Sequence, residues 1–348
     1  MLQLFKDKTK KILLGTLCMT SLSACASRDE SARSDHFDGS HYFNPGHTPS
    51  KGFWSVLKWR WTADPKKWPV KVENKSYAPR LQSLGPGEVA ITFVNHATVL
   101  VQTESFNFLT DPVWSERVSP FTWIGPKRAR EPGLDFDKLP TIHAVLVSHN
   151  HYDHLDLETL KRLNQKFKPQ FYVGLGDGKL LNENGIENVH EMDWWQTNEI
   201  GGAKITFMPA MHWSGRWLND RFKCLWGSYG IDVQGRKIYF AGDTGYADHF
   251  IKIRERWGSP DLAFLPIGAY EPRWFMKDYH MNPEEAVRAF LDLAAKKALG
   301  IHFGTFQLTD EGIDEPTQHL KEAMVKSGVA PEAFRALDQG ESWVFKSF

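Results

Sequence analysis

Short apolar runs alternate with amphipathic stretches along the chain from about residue 89 onwards. Several of the apolar runs are rich in β-branched or aromatic side chains and close on Gly, Pro or Asp, a pattern typical of β-strands. The predicted strands cover residues 89–103, 107–112, 143–149, 170–174, 204–213, 226–233, 237–245, 261–268 and 298–304. Amphipathic helices are predicted between them, the clearest over residues 155–167 and 282–298. This alternation predicts a layered α/β domain whose sheets are covered by helices.

Local chemistry sets the expected ends of the second helix. Asn282 is a good N-cap, and Pro283 has the backbone angle of a first helical position. Lys296 and Lys297 carry the positive charge that suits the C-terminal end of a helix. We therefore expect the helix to continue to about residue 298.

The composition is that of an ordinary globular protein. Hydrophobic residues make up 41% of the 348 residues and charged residues 24%, so the chain can bury a substantial core. The 42 basic and 42 acidic residues balance, which gives no support for a nucleic-acid partner, and no feature indicates a protein partner. No Gly/Ser-rich linker, charge block or repeat follows residue 80, and residues 51–348 are predicted to form a single domain.

The N-terminus has the order of a secretory signal. Four lysines within residues 6–11 precede an apolar stretch that is too short to span a bilayer, and the sequence Leu-Ser-Ala-Cys ends at Cys25. This tetrapeptide resembles the bacterial lipobox, so residues 1–24 are predicted to be a lipoprotein signal peptide and Cys25 the lipidated first residue. No Asp stands beside Cys25, and the resemblance to bacterial lipoproteins then implies a cell-envelope lipoprotein of the outer membrane that faces the periplasm. A plain signal peptidase site and a short anchor helix are the alternatives.

A polar segment follows the predicted anchor. Residues 25–50 are rich in Ser, Asp, Gly and Pro, which predicts a solvated tether to the domain. His36, His41 and His47 lie in this segment. A metal-binding tract is one interpretation of these histidines, and a solvated linker is the preferred one.

Histidine and aspartate residues are concentrated where the predicted strands end. Residues 143–149 form a buried strand pattern, and the loop at its C-terminal end carries a dense group of such residues, in the position where α/β sheets place their ligands. Three further strands each end in one such residue. Any one of the residues alone would be interpreted as structural or capping, but together they predict a metal centre. The predicted ligands are His149, His151, Asp153, His154, His212, Asp243 and His302.

Imidazole and carboxylate ligands without a thiolate suit zinc best, with iron or manganese as alternatives. We expect two Zn²⁺ ions, which in paired sites lie roughly 3.5–4 Å apart. His149, His151 and His212 are assigned to the first ion, and Asp153, His154 and His302 to the second. Asp243 is expected to bridge them because a carboxylate has two oxygens. A water held between such ions loses a proton near neutral pH and becomes a nucleophilic hydroxide.

The order of these ligands resembles that of the metallo-β-lactamase superfamily, which implies an αββα sandwich of two mixed sheets covered by helices. Further segments resemble, more specifically, the N-acyl-phosphatidylethanolamine phospholipase D family. They lie between about residues 85 and 310 and cover residues 95–101, 109–132, 147–156, 209–216, 240–246, 265–287 and 301–306. The resemblance implies hydrolysis of N-acyl-phosphatidylethanolamine to N-acylethanolamine and phosphatidic acid.

The resemblance also assigns roles outside the ligand set. His280 matches a histidine beside the substrate phosphate, and with Asp153 and Asp243 it completes the expected catalytic residues; helix-entry packing is its alternative role. Tyr152, inside the metal motif, is expected to contact substrate. His96 matches no ligand and is interpreted as structural or as a partner of a ligand.

Aromatic residues predict contact with a membrane. Trp114 and Trp123, in the loop after the second predicted strand, are expected to contact the acyl chains of a phospholipid substrate. Trp54, Trp59, Trp61 and Trp68 lie among lysine and arginine residues, a mixture that suits the lipid headgroup region, although they would equally cap the core. Together with lipidated Cys25 they predict a membrane partner.

Two other functions compete with this interpretation. The nearer is a lactonase or cyclic-phosphodiester hydrolase of the same fold that acts on a small soluble substrate. The more distant is a non-catalytic lipoprotein that binds lipid or supports the envelope, which would be expected to lack one or more ligands. A redox di-iron site is disfavoured because His151 stands where such relatives carry Glu.

Overall fold

The computed structural model describes residues 33–47, 51–78, 84–85 and 87–345 of the chain. The predicted signal peptide and Cys25 lie outside these residues. Within the described ranges, no helix combines the length and the apolar character needed to cross a membrane.

The described strands form two seven-stranded sheets. The first sheet has the order β14 (Ser342–Phe345), β1 (Val89–Asn95), β2 (Thr98–Gln102), β3 (Asn107–Thr110), β4 (Ala144–Leu146), β5 (Gln170–Gly174) and β6 (Val189–Met192). The second has the order β13 (Phe334–Arg335), β12 (Lys297–Ile301), β11 (Leu262–Pro266), β10 (Arg236–Phe240), β9 (Ser228–Val233), β8 (Ala203–Met208) and β7 (Thr197–Ile200).

Each sheet is antiparallel on one side and parallel on the other. In the first sheet the pairs from β14 to β3 are antiparallel, and those from β3 to β6 are parallel. In the second sheet the pairs from β7 to β10 are antiparallel, and those from β10 to β13 are parallel. The mixed sheets agree with the sequence prediction.

Helices cover the outer face of each sheet. The described helices are α1 (Phe53–Thr62), α2 (Leu157–Phe167), α3 (Gly178–Glu183), α4 (His249–Trp257), α5 (Arg273–Met276), α6 (Pro283–Asp292) and α7 (Glu315–Lys326), with a 3₁₀ turn at Phe136–Lys138. Leu160 of α2 packs on the first sheet, and Phe250 of α4 packs on the second. Phe93 and Phe207, from opposite sheets, share the central core. The layers are therefore helix, sheet, sheet and helix, which confirms the predicted αββα sandwich.

The helix predicted over residues 282–298 begins as expected and ends early. The Asn282 side chain accepts a hydrogen bond from the Glu285 backbone N–H, and the Glu285 carboxylate accepts one from the Asn282 backbone N–H, which completes a capping box. The last helical residue is Asp292, because Ala294 adopts a φ of 48° and Lys297 already begins β12.

Residues 34–47 pack against the domain, whereas the sequence predicted a solvated tether. Phe37 and Tyr42 are buried in the central core, and the Tyr42 backbone N–H donates to Phe222 O at 2.8 Å. Asn44 is also buried, and its side-chain amide donates to His212 O at 2.9 Å. Two aromatic anchors within an otherwise polar stretch supply the apolar burial that holds the segment in place.

Candidate metal centre

The metal motif lies in the loop that follows β4. Since β3 and β4 are parallel neighbours, the residues after both strands meet at the same sheet edge. Asp111, directly after β3, accepts hydrogen bonds from Ser148 N at 2.7 Å and from Ser148 Oγ at 2.6 Å. These bonds hold the start of the loop, and all of its predicted ligands are buried or nearly so.

One group of ligand atoms has the spacing of a tetrahedral site. His154 Nε2 lies 3.4 Å from Asp153 Oδ2 and 3.2 Å from Asp243 Oδ2. His302 Nε2 lies 3.4 Å and 3.0 Å from the same two oxygens. Tetrahedral zinc with bonds of about 2.0–2.1 Å has ligand atoms roughly 3.3–3.4 Å apart. These four side chains therefore match the second predicted site.

A second group gathers three imidazoles. His151 Nδ1 lies 2.8 Å from His149 Nε2 and 3.2 Å from His212 Nε2. Asp243 Oδ2 lies 3.9 Å from His212 Nε2, so the same oxygen that faces the first group also approaches this one. The structure thus brings all seven predicted ligands together, with Asp243 between the two groups.

Close packing fixes the backbone around Asp243. Gly242, which precedes it, has a φ of 59°, and a Cβ added there would lie 2.5 Å from Ser148 Cβ. Only glycine fits this approach, because any side chain would separate the loop after β10 from the loop after β4.

The outer nitrogens of three predicted ligands have fixed acceptors. With Nε2 facing the centre, His154 Nδ1 donates to Asp111 Oδ2 at 2.6 Å and His149 Nδ1 to Ser148 Oγ at 2.9 Å. His212 Nδ1 donates to the backbone oxygen of Tyr279 at 3.0 Å. Such partners orient a metal-binding imidazole and fix its tautomer.

The electrostatics of the cluster fit bound cations. Burial alone would lower the pKa of His302, but Asp243 and Asp153 raise it to about 9. Burial and the neighbouring His154 instead lower the pKa of His149 well below its ordinary value, which leaves a neutral imidazole. His154 Nε2, His302 Nε2 and Asp243 Oδ1 are buried without a hydrogen-bond partner among the described residues. Nitrogen and oxygen lone pairs that converge in this way suit metal ions.

The cluster forms the floor of a cavity of about 430 Å³. His151, Asp153 and Asp243 line the floor, together with His280 and Tyr152. The upper walls are mainly apolar and contain Val56, Trp59, Val118, Trp213, Phe275, Met276 and Leu308. His280 Nδ1 lies 3.8 Å from Asp243 Oδ2, and burial lowers the pKa of His280 to about 4. A neutral His280 therefore faces the space above the metal cluster.

A larger groove of about 1230 Å³ adjoins the cavity at Tyr152, which lines both. The Arg216 guanidinium lies 3.9 Å from the Tyr152 ring centroid and fixes this ring in place. Trp123 is exposed near the groove, where its ring is 5.6 Å from that of Phe121, a groove residue. Trp114 lines neither space, because its ring packs on Phe136 and its indole N–H donates to Leu134 O.

The four tryptophans near the N-terminus divide into two kinds. Trp54 and Trp61 of α1 are exposed, as membrane contact would require. Trp59 stacks on Phe275 at 4.9 Å in the cavity wall, and Trp68 donates to Glu311 O. The latter pair packs on the domain, in agreement with the capping alternative.

Sequence reasoning missed two residues that support the ligands. Asp111 holds both Ser148 and His154, and its only sequence signal is its position directly after a strand. Asn44 bonds to the backbone of His212 from a segment whose composition predicted a linker.

Comparison with known proteins agrees with this geometry. Residues 106–303 match the Beta-lactamase superfamily domain family. An N-acyl-phosphatidylethanolamine-hydrolyzing phospholipase D 1 from Caenorhabditis elegans is 42% identical over 266 residues, which cover 72% of this chain and 74% of that protein. A UPF0173 metal-dependent hydrolase from Methanopyrus kandleri is 30% identical, with coverage of 73% and 98%. Among solved structures, an isothiocyanate hydrolase from Delia radicum gut bacteria has a TM-score of 0.60 at 19% identity, covers 74% of this chain and 99% of that one, and supports the fold alone.

Proposed function

The chain belongs to the beta-lactamase superfamily and, within it, to the family of N-acyl-phosphatidylethanolamine-hydrolysing phospholipases D, and from this premise we propose its substrate and reaction. The protein is a metal-dependent hydrolase of the metallo-β-lactamase fold. Our proposal is that it holds two zinc ions and hydrolyses N-acyl-phosphatidylethanolamine to N-acylethanolamine and phosphatidic acid.

The observation that carries the proposal is the position of the seven-ligand cluster beneath an apolar cavity. A phosphodiester needs positive charge beside its oxygens, and the acyl chains of a lipid need an apolar wall. With metal ions bound by the cluster, the cavity would offer the first at its floor, and it offers the second along Trp59, Trp213 and Phe275. A small polar substrate would leave these aromatic side chains without a role in binding.

The metal ligands divide between two ions as the two groups of atoms suggest. His149, His151 and His212 would hold one ion, and Asp153, His154 and His302 the other, with Asp243 shared. Bound metal ions supply positive charge for the phosphoryl oxygens and lower the pKa of a bound water to near 7. Asp111, Ser148 and the Tyr279 backbone keep the ligand nitrogens oriented.

His280 is proposed to bind the phosphate or the leaving oxygen. Its backbone is held by Met276 O and by the Arg273 guanidinium, which donates to His280 O at 2.9 Å. Its neutral ring can donate one hydrogen bond to an oxygen of the substrate. Tyr152, at the junction of the cavity and the groove, is proposed to contact the lipid on the way to the metal cluster.

The lipid is proposed to enter from a membrane surface. Phe121, Trp123, Ile124, Trp217 and Leu218 are exposed on two neighbouring loops at the groove, and we call them the rim patch. Phe121 joins the loops, since its ring lies 5.6 Å from Trp123 and 6.4 Å from Trp217. Exposed aromatic side chains at one rim suit the interface of a bilayer. A lipid anchor at Cys25, in an outer-membrane lipoprotein, would keep the rim patch near its substrate.

A substrate panel tests the proposal. The zinc-loaded full chain is assayed on short-chain and long-chain N-acyl-phosphatidylethanolamine, bis(4-nitrophenyl) phosphate and a lactone. We expect the long-chain lipid to be preferred and Trp123→Ala to reduce this preference, while Val325→Ala, at another exposed apolar position, leaves it unchanged. Preference for the lactone, or for a small diester without any effect of chain length, would favour a soluble substrate instead.

A further inference from the structure

Among the described residues, two basic side chains line the cavity above the metal cluster. They are Lys51 and Arg221. Lys51 has an internal partner, since its Nζ lies 3.3 Å from Asp278 Oδ2 and donates to Trp274 O at 2.9 Å. Its charge is therefore neutralised within the protein.

Arg221 is not neutralised in this way. Among the described residues Arg221 forms no ion pair with a carboxylate, and its buried Nε has no hydrogen-bond partner. The guanidinium lies 4.4 Å from the Trp213 ring centroid and 4.9 Å from that of Phe222. Its hydrogen bonds within the protein go to uncharged acceptors, Lys51 O at 3.4 Å and the Tyr279 side chain. Arg221 is half-buried, and its Nε is left without an acceptor, so this arrangement indicates an acceptor that arrives with a ligand.

The position of Arg221 indicates which part of the substrate it faces. Tyr279 lines the same cavity, directly precedes His280 in the chain and is linked to the metal centre through its backbone oxygen, which accepts from His212 Nδ1. The pKa of Arg221 is lowered by burial, which the neighbouring Tyr279 partly offsets. Arg221 and Tyr279 thus belong to the wall on the His280 side, where the leaving group is proposed to lie.

We infer that Arg221 is a specificity-determining residue that binds the amide carbonyl oxygen of the N-acyl head group. The inference rests on the proposed function, in which the leaving group is an N-acylethanolamine. The carbonyl is the one strong acceptor of that arm beyond the phosphodiester, and the rest of the arm is hydrocarbon. A single guanidinium between aromatic rings matches this distribution of one acceptor within an apolar chain.

The same side chain discriminates between phospholipid head groups. N-acylation removes the positive charge of an ethanolamine nitrogen and adds a carbonyl acceptor. Arg221 gains a hydrogen bond from the second change, whereas a free ammonium or a choline would place a cation beside the guanidinium. Specificity arises both from the attraction of the amide and from the repulsion of the cation.

A binding measurement tests the inference without requiring turnover. The zinc-loaded full chain is titrated in a calorimeter with N-butanoyl-ethanolamine phosphate and with ethyl phosphate, which lacks the amide arm. We expect Arg221→Met to weaken binding of the amide probe roughly 10- to 100-fold, since a hydrogen bond to a charged group contributes about 1.5–3 kcal/mol. Binding of ethyl phosphate should change less than about twofold. Arg221→Lys should give an intermediate loss, and Arg256→Met, at an exposed arginine of α4, should give none.

The inference would be overturned if Arg221→Met and Arg221→Lys each weakened the binding of both probes equally. It would also be overturned if neither substitution changed the binding of either probe. Arg221→Lys keeps the test valid if the methionine variant does not fold. If the wild-type protein does not hydrolyse the lipid but Arg221→Met still selectively weakens binding of the amide probe, only the proposed function is refuted.

Discussion

His96 Nε2 lies 3.0 Å from Asp153 Oδ2, so a residue that is not a predicted ligand contacts one that is. The His96 backbone oxygen accepts the His302 backbone N–H at 2.7 Å, and the centroids of the two imidazole rings are 4.0 Å apart. Its backbone has a φ of 45°, just after a register irregularity at the end of β1. His96 therefore braces two ligands of the same proposed metal ion.

Replacement of His96 by Ala should weaken zinc binding at the second site while the first site keeps its metal. Loss of a hydrogen-bond partner of a metal ligand typically lowers metal affinity about 10- to 100-fold. His96→Gln retains a donor and should lose less, and His190→Ala, whose ring pairs with Gln170 away from the cluster, serves as control. Competition with a chromogenic chelator measures each affinity. Unchanged affinity in His96→Ala would make His96 a packing residue only.

Asp243→Ala should reduce occupancy of both metal sites and abolish turnover. Its Oδ2 lies 3.0 Å from His302 Nε2 and 3.9 Å from His212 Nε2, so one carboxylate faces both groups. His149→Ala should mainly empty the first site. Elemental analysis of the purified variants separates these results, and two bound metals in an active Asp243→Ala protein would remove the bridging role.

His280→Ala should lower turnover roughly 100-fold, as removal of one stabilising donor does in other hydrolases, and should leave two metal ions bound. His280 Nδ1 is also close enough to His212 and Asp243 to serve as a metal ligand. Metal content measured beside kcat separates these roles, because loss of one ion would identify His280 as a ligand rather than a substrate contact.

Asp177 should give the protein a measurable pH dependence of stability. Burial raises its pKa to about 8, although Asn150 donates a hydrogen bond to it at 2.8 Å. The unfolded value is about 3.9, so the stability that the protonated carboxyl contributes is complete below about pH 4 and lost as the pH rises through 8. The free energy of unfolding of Asp177→Asn, relative to that of the wild-type protein, should therefore rise by up to about 1.4 kcal/mol per pH unit across this window. Thermal unfolding of both proteins at pH 5 and 8.5 measures the gain, and a constant difference would contradict it.

The convergence of the predicted ligands was predictable because each of them follows an apolar run that ends at a common edge. His302 follows β12 directly, and Asp243 lies just beyond β10. The prediction of one strand over residues 204–213 was less accurate, since β8 ends at Met208 and the following residues leave the sheet to deliver His212. The apolar pattern identifies the run, but it does not show where pairing stops.

Contacts between distant segments could not be predicted from the sequence. Residues 89–103 looked like one strand, yet the chain turns near His96 to form two strands and bring this histidine to Asp153. Because residues 25–50 are mostly polar, the burial of the Phe37 and Tyr42 rings in the core was not predicted. The partner of His96 is more than 50 residues away, and Phe37 and Tyr42 pack on core residues of distant strands, so the local pattern encodes neither contact.

Product analysis in ¹⁸O-labelled water tests the central claim most directly. The full chain is freed of metal by a chelator, reloaded with zinc and given N-acyl-phosphatidylethanolamine, and the products are identified by mass spectrometry. The account predicts no turnover without metal, full recovery with two equivalents of zinc, and phosphatidic acid carrying the label beside unlabelled N-acylethanolamine. Diacylglycerol with a phosphorylated N-acylethanolamine, or unchanged lipid in a protein that still cleaves a lactone, would contradict it.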